Sequence, residues 1–262
     1  MKLIKQFFSS LLLIAVFVLP NGAFAAQITQ LGFILDGSGS VSSTNYNLLR
    51  TGLKDALAAL DADGSVEITI TAYGSTTKTV VAPTLLTAAT LVGIQNAIMS
   101  HSKSGGSTDT AGAITYTTNL MTSSAVFSDP DLRASIINLA TDGAPNNQAA
   151  AVNAAQAAFA AGIDALSIEA IGSGVNSGTA LNNMLQIALP GPATLLALNE
   201  TNVPSPLGKS WVVPVSDFDA LAPVLKSKVI ASVKPPVSVP DPSSLVLLAI
   251  GLIGLSFARK RA

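Results

Sequence analysis

Short apolar runs alternate with longer amphipathic stretches through the middle of this chain. The runs at 30–35, 66–72, 78–82, 135–140, 165–171 and 210–215 are nearly continuous in apolar residues. That pattern predicts strands buried on both faces of a largely parallel sheet. Helical patterns fall at 45–60, 88–100, 110–121, 148–161, 180–188 and 218–232. The alanine-rich fourth pattern stops at Gly162, a residue suited to the position just past a helix end. Gly74-Ser75-Thr76 joins the second and third runs and predicts an antiparallel hairpin at one sheet edge. The order therefore predicts an α/β, Rossmann-like, doubly wound fold: a mostly parallel six-stranded sheet with one antiparallel edge strand and helices on both faces. Residues 190–208, opening with Pro190-Gly191-Pro192, exceed a usual connection. They are either an extra strand or a surface excursion on the ligand-facing side.

The chemistry gathers where strands end. Leu31-Gly32-Phe33-Ile34-Leu35 runs directly into Asp36-Gly37-Ser38-Gly39-Ser40. In extended backbone, alternate side chains point the same way, so the oxygens of Asp36, Ser38 and Ser40 can converge. The intervening glycines allow a tight bend and close approach. Oxygen-only ligands suit a hard divalent cation such as magnesium, with manganese or calcium as alternatives. Two further segments share this character. One is Ser104-Gly105-Gly106-Ser107-Thr108-Asp109-Thr110, a glycine-rich loop entering a helical pattern. The other is the apolar run 136–140, which ends on Thr141-Asp142-Gly143. In open α/β sheets, ligands bind beyond the carboxyl ends of strands, and Asp36 and Asp142 both lie there.

In this order the three segments resemble the von Willebrand factor A-type domain and its metal-ion-dependent adhesion site. The family's Asp-x-Ser-x-Ser falls on Asp36, Ser38 and Ser40, its loop threonine on Thr108, and its Thr-Asp-Gly aspartate on Asp142. The resemblance implies that Ser38, Ser40 and at times Thr108 contact the cation, with the aspartates acting largely through bound waters. It also implies a protein partner with an exposed Asp or Glu, bound through the metal, and no enzymatic activity.

The two ends read as targeting segments. Residues 1–25 combine basic Lys2 and Lys5, an apolar stretch at 7–19 and the small-x-small site Ala23-Phe24-Ala25, which predicts a signal peptide cut between Ala25 and Ala26. The domain is then 26–234, and 235–262 forms a tail. That tail has a Pro/Ser/Val linker at 235–244, an apolar helix at 245–257 and a basic end at 259–261. It resembles the PEP-CTERM sorting tail of exopolysaccharide-producing Gram-negative bacteria, with Pro240-Asp241-Pro242 in the place of Pro-Glu-Pro. The resemblance implies recognition by an integral-membrane exosortase, transient inner-membrane anchoring by the apolar helix, and delivery to the cell surface or extracellular matrix.

Composition narrows the choice further. Of 14 basic and 15 acidic residues, five basic and one acidic sit in the two ends, which leaves nine and fourteen in 26–234. An acidic domain without a basic patch argues against nucleic acid. Cysteine is absent, which excludes disulfides and thiolate metal sites. A structural matrix protein whose cation only stabilises the fold is the first alternative. A hydrolase using Ser38, His101 and an aspartate is the second, although Ser38 lacks the Gly-x-Ser-x-Gly setting.

Overall fold

The computed structural model describes residues 27–233. Strand β1 (Ile28–Asp36) leads into helix α1 (Ser43–Leu57), and β2 (Asp63–Tyr73) and β3 (Thr77–Thr87) form the hairpin. Helices α2 (Leu91–Ser100) and α3 (Thr110–Thr122) follow, with a 3-10 turn at Ala125–Ser128 before β4 (Leu132–Thr141). The chain continues through α4 (Gln148–Ala160), β5 (Ala165–Ile171), α5 (Gly178–Ile187), β6 (Thr194–Leu195), β7 (Trp211–Val215) and α6 (Leu221–Val233). The sheet order is β3-β2-β1-β4-β5-β7-β6. Every neighbouring pair is parallel except β2 with β3.

The sheet thus has seven strands rather than six. The addition is β6, whose two residues pair with Trp211 and Val212 at the far edge. A two-residue strand leaves no periodicity to read. Strand β3 runs past Pro83 to Thr87, well beyond the expected 78–82. An edge strand can carry a proline because one side of its backbone needs no partner.

The doubly wound expectation holds because β1 carries apolar side chains on both faces. Leu31, Phe33 and Leu35 pack with α1, α2 and α6, whereas Ile34 joins the cluster formed with α3, α4 and α5. Local signals agree with this packing. Ser42 caps α1 by accepting from the Asn45 amide at 3.0 Å, and Gly162 adopts a φ of +101° just after α4. Trp211 is fully buried, and its indole N–H donates to the Pro204 carbonyl at 3.0 Å.

An ion pair ties α6 to the sheet. Lys228 and Glu169 are both fully buried with 2.7 Å between their charged groups. The ammonium also donates to the Ser167 carbonyl at 3.1 Å and stands 5.2 Å from the Trp211 ring centroid. Removing one partner strands a buried charge, which is far more damaging than replacing both by apolar groups. Lys228→Ala is therefore expected to lose about 3–5 kcal/mol of unfolding free energy in urea titrations. The Glu169→Met/Lys228→Met double variant is expected to recover most of that loss.

Candidate metal centre

Chain connections reverse direction between β1 and β4, the switch point at which an open α/β sheet leaves a crevice at its carboxyl end. Asp36 closes β1 there and is fully buried. Its Oδ1 accepts the Ser38 amide at 2.9 Å. Its Oδ2 accepts from the Thr141 hydroxyl at 2.6 Å and the Tyr73 hydroxyl at 3.1 Å. Tyr73 faces Asp36 in the β1–β2 register, so one carboxylate joins the ends of three adjacent strands. Burial, then the Asp36 charge, pushes the Tyr73 hydroxyl well above its ordinary value. It therefore stays neutral and able to donate.

The turn after Asp36 presents the hydroxyls. Ser38 is buried and Ser40 exposed. Their Oγ atoms lie 3.1 Å apart, and Ser40 Oγ donates to Asp142 Oδ1 at 2.6 Å. Thr108 and Ser40 flank Gly143, where a Cβ atom would stand 3.2 Å from Thr108 Oγ1 and 3.4 Å from Ser40 Oγ. All five residues expected at the site therefore meet at the β1/β4 mouth.

Backbone contacts hold the glycine-rich loop in place. The Gly105 amide donates to the Gly37 carbonyl at 2.7 Å, and the Gly39 amide donates to the Gly106 carbonyl at 2.8 Å. Gly105 and Gly106 have φ of +71° and +82°, a region that side chains disfavour. Asn146 grips Thr108 twice, its side chain accepting from the Thr108 amide and its own amide donating to the Thr108 carbonyl, each at 3.0 Å. Lys103 Nζ donates to the Val41 carbonyl at 2.6 Å and the Ser38 carbonyl at 3.2 Å.

These oxygens fit a small octahedral cation. Adjacent ligands about 2.1 Å from magnesium stand about 3.0 Å apart, and the Ser38–Ser40 pair is at 3.1 Å. Among the described residues no three His, Cys, Asp or Glu side chains cluster. A cation here would depend on hydroxyl oxygens, which are hard donors.

Tyr73, Thr141, Lys103 and Asn146 belong to the site's frame although the sequence reading did not single them out for it. Thr141 stands directly before Asp142, a cue for its position but not for its bond to Asp36. The others depend on strand register and loop path. His101 takes a different place, with Nδ1 2.9 Å from the Tyr46 hydroxyl. Ser38 Oγ pairs with Ser40, so the serine–histidine–aspartate grouping is not assembled. The Gly172–Gly174 turn, with Asp142, Asp217 and Asp219, rims a recess beside the site.

Fold and site together define a doubly wound α/β domain that gathers hydroxyl and carboxylate oxygens at its switch point. The sequence profile of the von Willebrand factor type A domain matches residues 30–201, and the chain belongs to that family. A PEP-CTERM protein-sorting motif matches residues 238–261. That motif contains Pro240, Asp241 and Pro242 and lies outside the described residues, as do the signal-peptide segment and the apolar run at 245–257. Among the described residues no helix is long and apolar enough to cross a membrane. No curated protein matches the chain significantly.

Solved structures share the fold. Proximal thread matrix protein 1 from the mussel byssus superposes with a TM-score of 0.60 at 20% identity, over 78% of this chain and 48% of that one. The chain thus spans about half the length of that relative. Another structure of the same byssus protein has a zinc-occupied MIDAS motif. Manganese-loaded TRAP protein from Plasmodium vivax gives a TM-score of 0.53 at 19% identity, over 79% of this chain and 74% of that one. The pilus adhesin SpaC from Lactobacillus rhamnosus GG gives 0.58 at 14% identity, over 78% and 30%.

Burial pushes the Asp142 carboxyl above its ordinary range, opposed by the Ser40 hydroxyl bond and reinforced by the Asp36 charge. A carboxyl raised on folding binds its proton more tightly in the folded state. Its ionised form therefore destabilises the fold above the raised pKa, and that penalty disappears as pH falls through it. In EDTA at pH 7, Asp142→Asn is expected to raise Tm, with the gap to wild type closing as pH drops into the carboxylate range. Thermal melts across pH check this, and a lower Tm for the variant at pH 7 would contradict it.

Proposed function

We propose that this protein is an exported adhesion or matrix-assembly module. In this reading it holds a divalent cation, magnesium first, among Asp36, Ser38, Ser40, Thr108 and Asp142, and captures an exposed Asp or Glu side chain of a protein ligand. The observation that carries the reading is the meeting of the Ser38 and Ser40 hydroxyls at 3.1 Å with Asp142 bonded to the outer one. Ser38 and Ser40 supply neutral oxygens. Asp36 fixes the turn that presents them, and Asp142 orients the Ser40 hydroxyl. A bound cation supplies a coordination position open to an external carboxylate, its charge only partly offset by neutral ligands.

Export follows from the two ends. In the proposed sequence, residues 1–25 are removed at Ala25–Ala26 and the apolar segment 245–257 anchors the chain transiently in the inner membrane. An exosortase then acts at the Pro240-Asp241-Pro242 motif, releasing the domain to the cell surface or matrix. The likeness to an adhesin and to a byssus matrix protein accords with this destination.

Millimolar magnesium is expected to raise the wild-type Tm by about 5–10 °C when the cation is some hundredfold above its Kd. Ser40 is exposed, so Ser40→Ala should fold normally and lose that gain. A variant that keeps the full shift would remove the basis of the assignment. Cation-dependent capture is read by matrix pull-down with and without EDTA, where partners retained equally in both would contradict it.

A further inference from the structure

Lys103 lies between the end of α2 and the 104–108 loop, and its ammonium reaches the turn that carries the serines. It binds the carbonyls of Val41 and Ser38, which bracket Ser40 in sequence. Neither close ion pair among the described residues, Lys54–Asp55 and Lys228–Glu169, includes it. Its charge is nevertheless fixed against the turn that carries both serine hydroxyls, through the carbonyls on either side of Ser40. Arg50, by contrast, is spent on the carbonyls of Met99 and His101.

We propose that Lys103 is a fixed positive charge that divides the site's affinity between its two guests. It weakens entry of the divalent cation and strengthens capture of a carboxylate once the cation is in place. This inference rests on the cation-mediated reading above. Hydroxyl ligands leave part of the cation's charge uncompensated, and Lys103 adds one further positive charge beside the loaded site that favours an incoming anion. The same charge repels the incoming cation at the empty stage. A simple loop tether would favour both steps, and losing it would weaken both. The direction of the change in cation affinity therefore separates a charge from a clamp.

The test compares the wild-type protein with Lys103→Gln, which keeps a neutral donor for the turn carbonyls, and Lys103→Arg, which keeps the charge. Manganese binding is measured by calorimetry. Acetate binding to the manganese-saturated protein is measured by the water-proton relaxation lost when a carboxylate displaces metal-bound water. Lys103→Gln is expected to bind manganese about threefold more tightly and acetate about three- to tenfold more weakly, with both effects shrinking at about 0.5 M salt. Lys103→Arg should stay within about twofold of wild type on both. If Lys103→Gln weakens both steps or leaves either unchanged while wild type binds manganese, the Lys103 assignment alone fails. If wild type binds no manganese, the cation-mediated reading itself fails.

Discussion

The buried carboxylate of Asp36 is the constraint on which the rest of the site depends. It lies where three parallel strand ends come together and is bonded by Ser38 from its own turn, Thr141 from β4 and Tyr73 from β2. An unpaired charge at that depth would be strongly unfavourable. Its satisfaction by these three donors fixes the direction in which the chain leaves β1. The two serine hydroxyls then point together because the turn cannot relax without orphaning the carboxylate. Asp36 thus acts as the keystone of the turn, which leaves Ser40 exposed with Thr108 and Asp142 half-buried beside it.

Stability and function pull against each other at Asp142. Half-buried beside another carboxylate, it is held in a form the fold disfavours while no cation is present. A divalent ion bound as proposed would reverse that sign, since its charge favours the ionised carboxylate. In the proposed reading, the site is therefore built at some expense to the cation-free fold. The surrounding frame tolerates this because the 104–108 loop is pinned by backbone bonds to Gly37 and Gly39 and by Asn146. Further along the sheet, the buried Lys228–Glu169 pair holds the last helix independently of the site.

Much of this was legible in the sequence, for identifiable reasons. Strands buried on both faces write continuous apolar runs, so β1, β4 and β5 could be read directly. The Asp-x-Ser-x-Ser turn could be read because alternate residues share a face. Strand β6 could not, since two residues carry no period, and β3 extends beyond its apolar run because an edge strand can continue through Pro83. The partners of Asp36 were hidden for a different reason. Tyr73 reaches it only through strand register, and Lys103 and Asn146 reach the serine turn and Thr108 only through loop paths. Residue type alone records neither.

The most direct test of the account is anomalous diffraction from a crystal of the protein soaked in manganese. The account predicts a single strong peak at the β1/β4 mouth, within about 2.5 Å of both the Ser38 and Ser40 hydroxyl oxygens. No peak there, or one held elsewhere with the two hydroxyls still bonded only to protein, would contradict it.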